Sequence, residues 1–236
     1  MLYETTYSKE IIDEKIYELT LYTGKKEDEI LEILKNALKN RNLEWEEFSS
    51  ISTLYFHCNS KYSMYCLVKW NSEKKYQDII NYISQICSIR KGKVLDFGGG
   101  IGELSINLAS KNIDVSFLEV PSETLNFAKW RFKRKNLNID IYTSLNQIKT
   151  KFDIIIALDV IEVLEKPEIH IKKFYELLNS SGLLILSKGK VGEKEHPMNL
   201  IKNKNLIENL TDFCNNNGFK DSIFENKYHL LIKEKY

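Results

Sequence analysis

Residues 94–109, VLDFGGGIGELSINLA, constrain the fold most, because they pass from apolar strand to glycine-rich turn to amphipathic helix without a break. Val94, Leu95 and Phe97 suit a strand covered on both faces, and Leu104, Ile106, Leu108 and Ala109 give the next segment an apolar side. Between them, Gly98, Gly99, Gly100 and Gly102 let the main chain turn sharply and approach a ligand more closely than any Cβ would permit. The helix that follows directs its unpaired N–H groups into the same gap. Strand, turn and helix in this order build a cradle for a small ligand.

Spacing narrows the choice of ligand. A dinucleotide-binding turn reads G-x-G-x-x-G, its third glycine allowing close packing of helix on strand; here that position is Glu103. Counted from Gly98 the glycines fall as G-x-G-x-G, and Asp96 stands two residues earlier, at the carboxyl end of the strand. A carboxylate there repels a diphosphate and attracts a cation. S-adenosylmethionine carries a sulfonium and an ammonium, with one carboxylate for the N–H groups of the turn. An NAD-dependent oxidoreductase is the competing reading, and a non-catalytic cofactor-binding regulator or scaffold is the third.

Asp96–Gly102, DFGGGIG, resembles the first motif of the class I, Rossmann-like S-adenosylmethionine-dependent methyltransferases. Further segments extend the resemblance over roughly residues 75–190. In VSFLEV, residues 115–120, a strand ends at Glu119, about 20 residues past the first glycine, where a carboxylate can take both ribose hydroxyls. FDIIIALDVIEV, residues 152–163, followed by LEKP, resembles the family's fourth-strand motif, D-x-x-E-H with an acid and a proline after it. Asp159 and Glu162 match that pattern, while Val163 stands where histidine is common. SSGLLILS, residues 180–187, is similar to the turn and fifth strand. The resemblance implies S-adenosylmethionine as cofactor and S-adenosylhomocysteine as product. It assigns Asp96, Gly98, Gly99, Gly100, Gly102, Glu119, Val120 and Asp159 to cofactor binding. For the adenine, YTSLNQI (residues 142–148) offers Thr143, Ser144 or Asn146 in place of the family's frequent acid. Plainer roles compete: Asp96 as a turn acid, Glu119 as cap of a helix starting near Pro121 and Ser122, and Asp159 and Glu162 as helix caps.

Alternating strand and helix patterns over 93–187 predict an α/β fold, with a doubly wound, mainly parallel sheet and helices on both faces. The resemblance adds an antiparallel edge strand, for which YHLLIK, residues 228–233, is the candidate. Residues 1–72 are expected to form a mainly helical N-terminal cap that encloses substrate, and 73–236 the cofactor domain. Helical spacing predicts helices over Lys9–Thr23, with a turn at Gly24, and Lys26–Asn40. The aromatic-rich stretch 41–72 reads as short β-like or irregular runs, and Tyr62, Tyr65 and Trp70 are its candidate substrate contacts.

Thirty-four basic residues against 33 acidic ones give a net charge of +1, so no nucleic acid or anionic membrane is expected as partner. KWRFKRK, residues 129–135, reads as the solvated face of a helix. Cys58, Cys66, Cys87 and Cys214 lack C-x-x-C spacing and read as reduced thiols. Without a leader pattern or a long apolar run, the expected location is cytoplasmic. The expected reaction is in-line methyl transfer to an oxygen or nitrogen of a small molecule or modified peptide, without metal. His196, in the loop HPMNL, is the candidate base and a candidate substrate contact, with Asp159 and Glu162 as further candidate catalysts.

Overall fold

Val94–Phe97 (β1) and Val115–Leu118 (β2) are buried at every position, and Phe152–Ala157 (β4) at every position but Asp153, so both faces of the sheet must be covered by helices. The computed structural model describes residues 8–187, 189–225 and 228–234, and shows this arrangement. Asp140–Tyr142 (β3), Leu178–Ser187 (β5), Phe219–Glu225 (β6) and Tyr228–Lys233 (β7) complete a seven-stranded sheet of order β3-β2-β1-β4-β5-β7-β6. The first five strands are parallel; β7 runs antiparallel to β5, and β6 antiparallel to β7. YHLLIK therefore forms the antiparallel strand expected of it, one place in from the edge.

Alternate residues of the strands feed two cores. Val94, Ile154, Ile156 and Ile185 pack with Lys74–Arg90 (α5), Glu103–Ser110 (α6) and Glu123–Arg134 (α7). Leu95, Ile155, Leu184 and Leu186 pack with Pro167–Leu177 (α8) and, further along the chain, Leu206, Ile207, Leu210 and Cys214. These last residues belong to two short helices, Lys204–Glu208 (α9) and Leu210–Asn215 (α10), which part at Asn209. Because the chain builds outward from β1 through β2 to β3, and then from β4 to β5 on the other side, a crevice opens where β1 and β4 part.

The described N-terminal region is built from helices joined by short turns: Lys9–Thr23 (α1), Glu27–Phe48 (α2), Thr53–Asn59 (α3) and Ser63–Asn71 (α4). Gly24, at φ 71°, ends α1 as expected. The reading of 41–72 as β-like is corrected. Tertiary packing overrides the strand propensity of its aromatic rings: Trp45 meets Phe56 edge-on at 5.2 Å, the Ser52 hydroxyl accepts the Tyr55 N–H at 3.0 Å, and Glu44 takes the Ser60 hydroxyl at 2.7 Å and the Lys61 N–H at 2.9 Å. This helical layer shares its core with Ile101 from the glycine turn and Phe127 from α7.

The KWRFKRK reading also changes. Lys129, Lys133 and Arg134 are exposed, but Arg131 is only 2% exposed. Its Nε donates to Glu18 of α1 at 2.7 Å, Nη1 to the Ile101 carbonyl at 2.8 Å and Nη2 to Glu103 at 2.9 Å. Buried Lys15 reaches the other oxygen of Glu103 at 3.1 Å. Burial alone would raise the Glu103 pKa, but Lys15 and Arg131 reverse this and hold it below its usual value. The residue that replaces a dinucleotide-type glycine is thus the anchor between cap and turn. Removing one member strands buried charge, so Arg131→Met is expected to lower unfolding free energy by about 3–5 kcal/mol. Lys133→Ala on the exposed side should change it by less than about 0.5 kcal/mol. Urea titration of both variants checks this, and equal small effects would show that the network bears no weight.

Candidate functional site

The five parallel strands all end at one cavity of about 2030 Å³. Single-ligand sites occupy roughly 300–1,000 Å³, so there is room for a cofactor and an acceptor together. Gly98, Gly99 and Gly100 after β1, Glu119 and Val120 after β2, Thr143, Ser144 and Asn146 after β3, and Asp159, Glu162 and Val163 after β4 line the sheet side. The loop after β5 contributes Gly189, His196 and Met198, while Arg41, His57, Leu67 and Trp70 come from the cap.

The turn admits no side chains at its closest approaches. Gly98 has φ 69°, and a Cβ there would lie 2.5 Å from Val160; one on Gly99 would lie 2.5 Å from the Phe117 ring and 2.6 Å from the Asp96 carboxylate. Leu67 of α4 packs over Gly100 from the cap side. Glu119 faces this turn. One carboxylate oxygen accepts the Gly100 N–H and the other the Val120 N–H, both at 2.8 Å. Burial raises its pKa to about 7, the two N–H groups opposing the shift and the Asp96 charge adding to it. Each oxygen keeps a further lone pair, so the group can still accept two hydroxyls. Helix α7 is capped by the Ser122 hydroxyl, which accepts the Leu125 N–H at 3.2 Å. Glu119 is therefore not the cap.

Asp96 lies beneath the turn and does not line the cavity. Its carboxylate accepts the Ser105 hydroxyl at 2.6 Å, and burial raises its pKa to about 6 against that hydrogen bond. Gly102 begins α6 and also stands outside the lining. Tyr62 and Tyr65 pair with each other at 6.5 Å in the cap and do not reach the cavity, whereas Trp70 does. The candidate residues separate into those that line the cavity and those that shape the turn from behind.

Asp159 adopts φ 51°, an unusual conformation for a residue with a side chain. Its N–H donates to the Ser187 hydroxyl at 2.5 Å, and that hydroxyl donates to the Asp159 carboxylate at 3.0 Å. Glu162 is 3% exposed, one of its oxygens has no hydrogen-bond partner, and burial, with the Asp159 charge second, raises its pKa to about 8. Neither acid caps α8, whose N-cap position is Lys166. His196 approaches Arg41 at 3.4 Å through Nδ1 and packs on Trp70 at 5.2 Å between ring centroids. Burial lowers its pKa, and the Arg41 charge lowers it further, against the opposing charges of Glu193, Glu195 and Asp159. Arg41 and His57 also line the cavity, and neither belongs to a motif that spacing alone reveals. Among the described residues, no cluster of three or more metal-binding side chains is found, and no helix is long and apolar enough to cross a membrane.

Residues 69–217 match the family described as a methyltransferase domain, and the chain belongs to it. It is an S-adenosylmethionine-dependent methyltransferase, and its cofactor is S-adenosylmethionine, not NAD. The chain is 26% identical over 202 residues to ribosomal RNA small subunit methyltransferase G of Mycoplasma capricolum, covering 80% of this chain and 84% of that one. It is 27% identical to the ubiquinone biosynthesis O-methyltransferase of Coxiella burnetii over 64% of each chain, just under two thirds of that relative's length. Among solved structures, the magnesium protoporphyrin IX methyltransferase of Synechocystis PCC 6803 with bound S-adenosylhomocysteine shares the fold at TM-score 0.52 and 18% identity, over 68% of this chain and 84% of that one. An O-methyltransferase family protein of Burkholderia thailandensis does so at TM-score 0.57 and 12% identity, over 86% and 72%.

The raised carboxylates carry a pH consequence. A carboxyl whose folded pKa exceeds its unfolded value contributes stability that is complete below the unfolded value and is lost as pH rises through the folded one. For Asp96, Glu119 and Glu162 the losses run from about 4 up to about 6, 7 and 8. The melting temperature of the ligand-free protein should therefore contain a component that falls between about pH 4 and pH 8, and Glu162→Gln should flatten its upper half. An unchanged profile in that variant would show that Glu162 titrates normally.

Proposed function

We propose that the protein transfers a methyl group from S-adenosylmethionine to an oxygen or nitrogen of a small molecule by in-line displacement. The observation that carries this reading is one cavity with two chemistries: a backbone turn with a carboxylate facing it on one side, and a histidine packed on Trp70 on the other. Gly98–Gly100 would hold the methionine end, Glu119 and Val120 the ribose, and Thr143, Ser144 or Asn146 the adenine. Asp96 and Gly102 support the cofactor by shaping the turn. When bound, the cofactor supplies a methyl group already activated by its sulfonium. The chain's own task is then alignment and exclusion of water.

His196 removes the proton of the acceptor hydroxyl or amine. Glu162, held protonated near neutral pH by burial, serves as a hydrogen-bond donor beside Asp159. Val163 offers neither a base nor a metal ligand where the family commonly has histidine, which leaves the proton to His196. Residues 1–72 enclose the acceptor, and 73–236 carry the cofactor; Trp70 is the substrate contact from the cap, with Tyr62 and Tyr65 as the packing behind it.

The ribosomal RNA methyltransferase relative favours a second reading, an RNA acceptor. Charge weighs against it. Of the four lysines in the cavity lining, Lys75, Lys173 and Lys190 are paired with neighbouring acids, with Glu73 at 2.8 Å, Glu176 at 2.7 Å and Glu193 at 3.0 Å, so beside Lys172 and Arg41 the rim offers few unpaired cations to a chain of phosphates. Glu119→Ala should weaken S-adenosylhomocysteine binding by about 1–3 kcal/mol in calorimetric titration. His196→Ala should cut turnover by about 100-fold with the phenol or amine that a labelled-methyl screen selects, while cofactor affinity holds. Unchanged cofactor affinity in the first variant rejects the ribose assignment, and normal turnover in the second removes His196 from the mechanism.

A further inference from the structure

Arg41 is a buried cation that touches no anion among the described residues. It is 5% exposed, lines the acceptor side of the cavity, and forms no ion pair with any described carboxylate. Nη2 donates to the Glu195 carbonyl at 3.3 Å and lies 3.4 Å from His196 Nδ1, while Nε has no partner. The nearby acid on its own helix, Glu44, acts on Arg41 through its charge and not by contact, its two oxygens accepting the Ser60 hydroxyl and the Lys61 N–H. Glu195 touches Arg41 through its backbone, and its side chain is exposed. A guanidinium in this state bears a desolvation cost that main-chain and ring contacts offset only in part.

Its neighbours fit a ligand rather than a structural role alone. The Trp70 ring covers the guanidinium at 4.5 Å, a contact that occupies the flat face and leaves the edge for hydrogen bonds in the plane. His57, also in the lining, has a buried Nε2 without a partner, and burial, with Arg41 second, lowers its pKa to about 4, so it adds no charge. A carboxylate matches a planar guanidinium edge with two parallel hydrogen bonds. Leu54, Leu67 and Trp70 in the same lining suit a flat apolar body attached to it.

We propose that the methyl acceptor is an aromatic or similarly flat carboxylic acid whose carboxylate pairs with Arg41, which sets its hydroxyl or amine beside His196. This rests on the methyltransferase site described above and adds the class of molecule it selects. Arg41 acts as a specificity residue, since carboxylate binding anchors the acceptor and leaves the proton transfer to His196.

The test uses the full chain saturated with S-adenosylhomocysteine and a panel of aromatic carboxylates, para-hydroxybenzoate and indole acetate among them, each beside its neutral carboxamide. Calorimetric or ligand-observed NMR titration should show at least one acid binding about tenfold or more tightly than its amide. Arg41→Met should abolish that preference, and Arg41→Lys, which keeps charge without the planar fork, should retain part of it. Equal binding of every acid and amide to the unaltered protein overturns the proposal, as does binding by none of them at millimolar concentration. A preference that survives in Arg41→Met overturns it too. The acid-to-amide comparison needs no variant, so a folding defect leaves it valid. Failure to bind S-adenosylhomocysteine at all is read in a separate titration and counts against the cofactor site, not against Arg41.

Discussion

The contact on which the rest of the structure depends is the buried group of charges around Arg131. Four side chains, Lys15 and Glu18 from the first helix, Glu103 from the start of α6 and Arg131 from α7, meet where the cap, the glycine turn and the sheet's outer layer converge. Burying such charges is costly, and the cost is met only if each finds its partner in a fixed position. That requirement locks the cap in one orientation over the carboxyl edge of the sheet. The same guanidinium holds the Ile101 carbonyl, so the loop that faces the ligand is gripped from the cap side as well.

With the turn gripped there, its remaining freedom is removed by Glu119 above and by Asp96 with Ser105 below. The turn is thus preorganised before any ligand arrives, which limits the ordering cost of binding. The cap, carried on the same anchor, brings Arg41, His57 and Trp70 to the far wall of the cavity. The two walls of the cavity belong to two layers whose relative position is set by charge pairing and by a shared core at Ile101 and Phe127.

Much of the cofactor half was legible in the sequence because its constraints are local. A covered strand, a turn without side chains and a helix start leave contiguous signatures, and an acid at the end of the next strand falls at a predictable distance. Asp96 shows the limit of this reading: its position in the motif was clear, but whether its carboxylate turned toward the ligand or under the turn depended on Ser105 nine residues later. The cap was harder. Ile30, Leu34, Ala37, Arg41 and Glu44 form one buried stripe along α2, but a reading that ends the helix at Asn40 stops just before its two charged members. Extending the 3.6-residue period across Arg41 is the signal that would have exposed it. Arg131 was missed for a related reason, since a cluster of basic residues reads as solvated unless its long-range partners are known.

The central claim is that a charge-anchored cap closes over a preformed nucleoside cradle, leaving the acceptor chamber above the sulfur. The most direct measurement is a crystal structure of the full chain with S-adenosylhomocysteine. The account predicts both ribose hydroxyls on Glu119, the sulfur opening toward Arg41, Trp70 and His196, and the contacts of Lys15, Glu18, Glu103 and Arg131 unchanged. A nucleoside bound away from Glu119, or a cap that swings off its charged anchor when the ligand binds, would contradict it.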